Sequence, residues 1–177
     1  MESDAEVIIK KKNNWLTSQV DVQFPTPESI KGRDLYLAAE QGRQYVQIDA
    51  SISSSEESVV DEIYRVDFHR LTVMFSLLQA SKWEDKQEQA YILEYFSQII
   101  LNEECQLYIG FVDTYPVACA MVTQENGDIL ISDIVVDRIR SKSTCLPAWK
   151  APETVFTAQL IQFLNLYPEV NKLWMGA

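Results

Sequence analysis

Three short apolar runs, LYIGFV at 107–112, VACAMV at 117–122 and ILISDIVV at 129–136, constrain this chain more than any other feature. Each is too short for a helix and is bounded by turn residues, Asp113-Thr114-Tyr115-Pro116 and Glu125-Asn126-Gly127-Asp128. Asn-Gly between apolar runs is the strongest short hairpin signal, because both residues accept the left-handed backbone of a tight turn. The runs therefore read as a three-strand antiparallel meander. Apolar residues fall on both parities of all three, so the sheet has to be covered on both faces.

Helical spacing elsewhere supplies that cover. Ser54-Ser55-Glu56-Glu57 fits a capping box, and Val60, Ile63, Tyr64, Leu71, Met74, Phe75 and Leu78 follow at helical intervals. A second helix is expected from about Glu84, with Ala90, Leu93, Phe96 and Ile100 on one face. Pro152 suits a first helical turn, with Phe156, Leu160, Phe163, Leu164 and Tyr167 on one face and Pro168 as the stop. Lys172 to Met175 reads as a last strand and Tyr45 to Ile48 as a first one. Before these, Val20, Val22 and Phe24 alternate as a strand would, and Thr26-Pro27 opens a helix toward Gly42. Lys10-Lys11-Lys12 reads as a solvated tail. The expected organisation is an extension over 1–44 that completes the sheet, then an α/β domain over 45–177.

Charge narrows the function. The net charge is −11, and residues 45–104 alone hold twelve Asp/Glu against four Lys/Arg. Such a surface repels phosphate backbones and anionic membranes, so neither nucleic acid nor a membrane is the expected partner. The acidic start MESDAEVII is no signal peptide, and a cytoplasmic location is expected. Cys105, Cys119 and Cys145 have no C-x-x-C spacing and His69 is the lone histidine, which gives neither a metal site nor a Ser-His-Asp triad.

The acidic chain has one basic stretch. Arg138, Arg140, Lys142 and Lys150 follow the third run closely. They are either solvated charges that balance the acidic helices or an anion site, since guanidinium groups bind phosphate without a glycine loop. Asp133 is the second anomaly, a carboxylate in an apolar strand that needs a partner. A regular strand would turn Ser132 to the opposite face.

The segment LYIGFVDTYPVACAMVTQENGDILISDIVVD, in the order strand, helix, helix, meander, helix, strand, resembles the Gcn5-related N-acetyltransferase (GNAT) superfamily. The resemblance implies a GNAT-like mixed sheet with a central antiparallel meander flanked by helices on both faces, truncated here at its C-terminal end. It implies acetyl-CoA or another acyl-CoA as cofactor and an amine as acceptor. Asp133 would be the general base, with a raised pKa suiting that task. Main-chain amides near Val135 and Val136 would polarise the thioester carbonyl. Arg138, Arg140, Ser141, Lys142 and Ser143 would correspond to the pyrophosphate loop. Serine stands where that loop has small residues, no glycine is present, and Pro147 and Pro152 delay the helix. The alternative is a non-enzymatic acidic binding module, a chaperone or adaptor, dimeric through an edge that invites pairing. A thiol enzyme using Cys145 beside Arg140 and Lys142 is a third option.

Overall fold

The computed structural model describes residues 3–54, 56–166 and 170–176. Ser55 of the expected capping box, Tyr167 and Pro168 of the expected last helix end, and Ala177 lie outside the described residues.

The protein is α/β, and its described residues form a six-strand mixed sheet and five α-helices. In chain order these are α1 (Asp4–Ser18), α2 (Pro27–Glu40), β1 (Tyr45–Ile48), β2 (Glu62–Arg65), α3 (His69–Ala80), α4 (Lys86–Ser97), β3 (Cys105–Val112), β4 (Tyr115–Glu125), β5 (Asp128–Val136), α5 (Pro152–Leu164) and β6 (Leu173–Gly176). The sheet order is β1-β6-β5-β4-β3-β2. All neighbours are antiparallel except β5 and β6.

The meander β3–β4–β5 lies at the centre, as its apolar runs require. Asn126 and Gly127 take φ of 52° and 85°, the left-handed pair that a two-residue hairpin needs. Leu107, Ile109, Cys119 and Met121 face a core built with α1 to α4. Val117, Ala120, Val122, Ile129 and Ile131 face a second core built with Val155, Phe156, Leu160 and Ile161 of α5. That two-sided burial is why the strands carry no polar parity.

Several expectations are corrected. Val20 to Phe24 form no strand: Val20 closes the α1 face as a buried residue, while Val22 and Phe24 are exposed. The position beside β6 is filled instead by β1. The lysine run is no tail, because α1 carries it, opened by a Ser3–Glu6 capping box. Residues 1–44 share the first core through Leu16, Val20 and Tyr36, so position 44 is no packing boundary. The single helix expected over 56–78 is a short edge strand, β2, followed by α3 starting at His69. Val60, Ile63 and Tyr64 match helical spacing, but Ile63 and Tyr64 pair with Gly110 and Ile109 of β3. Ile100, expected on the α4 face, lies beyond the helix and is exposed.

Gly32 sets how closely α2 and α4 approach. A Cβ there would run into the Tyr91 carbonyl oxygen and Tyr95 Cβ, which are parts of α4 that cannot swing away. Gly32→Ala is expected to lower stability by about 1–3 kcal/mol, the usual cost of overpacking, although alanine is the better helix former. Urea unfolding measures it, and a stabilised variant would contradict this packing.

Candidate functional site

The strand β5 breaks its own regularity at Asp133. It pairs in parallel with β6 only over Ile129–Leu173, Leu130–Trp174 and Ile131–Met175. On its other side the register with β4 shifts between Met121–Ser132 and Cys119–Val135. Asp133 sits in the resulting bulge with φ of 54°, a conformation that Asp tolerates better than most residues. Without the bulge, its side chain would follow Ile129 and Ile131 toward α5. The bulge turns it toward α1 and α2, the side on which Ser132 already lies. The expectation of opposite faces is thus corrected: Ser132 Oγ donates to Asp133 Oδ2 at 2.7 Å.

On that side the carboxylate meets groups from the first 45 residues. Arg43 Nη1 lies 2.7 Å from Oδ1, and Tyr36 Oη donates to the same oxygen at 2.9 Å. Lys12 Nζ lies 3.5 Å from Oδ2. Lys12, with no solvent exposure, also donates to Tyr36 Oη at 2.9 Å, to Glu40 Oε1 at 2.8 Å and to Tyr45 Oη at 2.9 Å. Arg43 reaches Glu40 Oε2 at 2.8 Å, and Tyr45 donates to Glu40. Two cations and two carboxylates close a neutral cluster, the condition under which buried charge is tolerated. Behind it, Gln79 of α3 donates to the Asp133 carbonyl at 2.6 Å.

Those neighbours reverse the titration expected of a base. Burial alone would raise the Asp133 pKa, but Arg43, Lys12 and Lys82 outweigh it and hold the carboxyl well below the ordinary carboxylate range. Lys82 is exposed, so solvent screens its share. The raised pKa is corrected to a lowered one. Burial, then the nearby Asp133 charge, pushes Tyr36 well above the ordinary phenol value. Asp133 is a structural counter-ion with both oxygens occupied, not a group poised to take a proton.

The basic stretch is also largely committed. Arg138 Nη2 lies 3.1 Å from both Glu153 oxygens, Lys142 pairs with Asp61, and Lys150 pairs with Glu57. The Ser141 and Ser143 hydroxyls bond each other, and Ser141 Oγ caps the short turn Lys142–Cys145 by accepting from the Ser143 amide. The loop amides that would cradle a phosphate are already filled. Asp137 Oδ1 accepts from the Ile139 amide at 2.9 Å and the Arg140 amide at 3.1 Å. Val135 and Val136 are buried. Lys142, needed by the thiol option, is turned to Asp61 rather than held for Cys145.

Part of the expected set does converge. Val136, Arg138 and Arg140 line an open cleft of about 550 Å³ between the end of β5 and α3, whose Met74, Leu77 and Leu78 form an apolar wall. Asp133, Val135, Ser141, Lys142 and Ser143 are not among its lining residues. The sequence reading missed Lys12, Tyr36, Glu40, Arg43 and Tyr45. A signal for Lys12 was present, since Ile8, Lys12 and Leu16 share one face of a helix opened by Ser3-x-x-Glu6. Among the described residues no cluster of His, Cys, Asp or Glu is placed to hold a metal ion. No described helix is long and apolar enough to cross a membrane.

No family model matches the chain, and no curated protein matches it. A crystal structure of a functionally unknown conserved protein from Staphylococcus epidermidis ATCC 12228 is similar in fold, with a TM-score of 0.50 and 12% sequence identity over 81% of this chain. The match covers 55% of that protein, so the chain spans about half its length.

Proposed function

We propose that this chain is an N-acetyltransferase-like protein that binds an acyl-CoA in the cleft between α3 and the end of β5. The cleft carries the reading: an apolar wall of Met74, Leu77, Leu78 and Pro116 faces a rim bearing Arg138 and Arg140. That combination suits a ligand with an apolar arm and a multiply charged phosphate end. The mixed sheet with its central antiparallel meander is compatible with it as well, a mixed sheet of that kind being what the GNAT resemblance implies. Acyl transfer to an amine would need a base other than Asp133, so the proposal is one of binding.

Titration calorimetry with CoA and acetyl-CoA tests it. Binding heat is expected, together with a rise in melting temperature of about 5–10 °C at a hundredfold excess over Kd. Arg140→Ala is expected to weaken binding about tenfold, the loss of one charge-assisted contact. No heat and no stabilisation at millimolar ligand would end the reading.

One observation favours the alternative, a docking module. Phe24 and Ile100 are 83% and 71% exposed, on segments tied together where Gln19 Oε1 accepts from the Ile100 amide at 2.8 Å. Indifference to CoA, with binding to a protein partner lost in Phe24→Ser, is what that module would show.

A further inference from the structure

The buried cluster is balanced only among its sealed members. Lys12 and Arg43 are offset by Glu40 and Asp133, but a third cation, Lys82, stands beside them just past the end of α3. Its place follows from Gln79, one helical turn earlier, which donates to the Asp133 carbonyl at 2.6 Å and to Cys119 Sγ at 3.3 Å. The Lys82 amide bonds back to the Gln79 carbonyl at 3.2 Å, so the chain has not yet turned away from β5 there. Lys82 is exposed, yet protein crowds its ammonium so closely that burial is the largest influence on it, followed by Asp133, Arg43, Cys119 and Lys12. Together these hold its pKa below the ordinary lysine value. A group that is both wet and crowded lies in a recess. Among the described residues no carboxylate pairs with it.

Arg43, one of the charges that Lys82 feels, brings open donors. Its Nη1 serves Asp133 and Glu40, whereas Nη2 and Nε hydrogen-bond to no described group. Neither nitrogen is among the sealed polar atoms without a partner, so both meet solvent, although the side chain is only 10% exposed. Gly176, at the end of β6, leaves room for the Arg43 stem. A Cβ there would come within 3.4 Å of Arg43 Cδ and 3.0 Å of Tyr45 Cε1.

We propose that Arg43 and Lys82 form a binding site, at the mouth of the buried cluster, for the carboxylate group of a small molecule. Lys12, Arg43 and Lys82 carry three positive charges against the two negative ones of Glu40 and Asp133, so one monoanion completes the balance. Nε and Nη2 form one edge of the guanidinium, and their parallel N–H groups match the two oxygens of a carboxylate. Lys82 adds a third donor, and an anion between the two cations relieves their mutual repulsion. A phosphate dianion suits the place less, because its second charge would have to face Asp133 and Glu40. On a chain of net charge −11, a recess with a cation to spare is selective by its sign alone. The site does not rest on the acyl-CoA reading, since neither Arg43 nor Lys82 lines that cleft.

The test replaces sodium chloride by sodium acetate at constant ionic strength, with inorganic phosphate as the competing probe. Two NMR signals report on the site. One is the methyl resonance of Lys82 after reductive dimethylation, which keeps the charge, and the other is the Nε resonance of Arg43. Both are expected to move together and to saturate at millimolar acetate, the range that a few charge-assisted contacts support. Acetate should also raise the melting temperature, because it binds the folded chain alone. Lys82→Gln, a change at an exposed position, is expected to need at least about tenfold more acetate for the same rise. Lys82→Arg, which keeps the charge, should stay within about threefold of the wild type. No saturable movement of either signal, or movement of Lys82 without Arg43, overturns the shared site. So does an undiminished response in Lys82→Gln. Phosphate binding tighter than acetate overturns the assignment to a carboxylate.

Discussion

Asp133→Asn is expected to destabilise the protein by about 3–5 kcal/mol at pH 7, the usual consequence of removing one partner from a buried ion cluster. The substitution keeps the volume, and asparagine accepts the positive φ of 54° as readily as aspartate, so the backbone at the bulge is not the cause. What is lost is the charge that balances Arg43 and Lys12, whose side chains are 10% and 0% exposed. Lys12→Met should cost a similar amount while keeping the buried stem. Because the two residues face each other and share Tyr36, the double variant is expected to cost less than the sum by about 1–3 kcal/mol. Urea midpoints with an unchanged slope measure all three. Simple additivity would show that the cluster does not act as a unit. A variant of full stability would return Asp133 to the role of a free acid or base.

Acid should expose the same cluster without any substitution. The folded pKa of Asp133 lies below its unfolded value of about 3.9, so the group contributes stability above that value. The contribution is lost as pH falls toward the folded pKa. The wild type should therefore hold this contribution from pH 7 to about 5 and lose it progressively as pH falls below that. Asp133→Asn removes this component, and the gap between the two proteins should narrow as pH falls from 5 toward 3. Other carboxylates titrate in both, so the difference isolates one group. Parallel curves would mean that Asp133 is not held down by Arg43 and Lys12.

The meander was legible because its information is local: short apolar runs, an Asn-Gly turn and no polar parity. The edge strand was not. Ile63 and Tyr64 sit at spacings a helix would also accept, and what makes them a strand is β3, more than forty residues further on. Helix α1 was hidden for a related reason, since its buried face includes a lysine. Position 133 was visible as an anomaly, a carboxylate where only apolar residues belong, but its role came out inverted because Lys12 and Arg43 are distant in sequence. The basic stretch followed the same pattern, with partners at Glu57, Asp61 and Glu153. One clue there was local. Asp137 stands two and three residues before the amides it occupies, a spacing typical of Asp at turns.

The pairing of Lys12 with Asp133 also fixes an order of events in time. At roughly 5–20 residues per second, the ribosome makes Lys12 about 6–24 s before its counter-ion. The first helix must wait that long with an ammonium on the face it will later bury. β1 likewise waits for β6, the last strand of the sheet to be made. A nascent chain stopped before residue 133 can therefore pack α2 on α4 but leaves Lys12 without the Asp133 carboxylate. The charge that is costly inside the finished protein helps keep the waiting segment soluble until then.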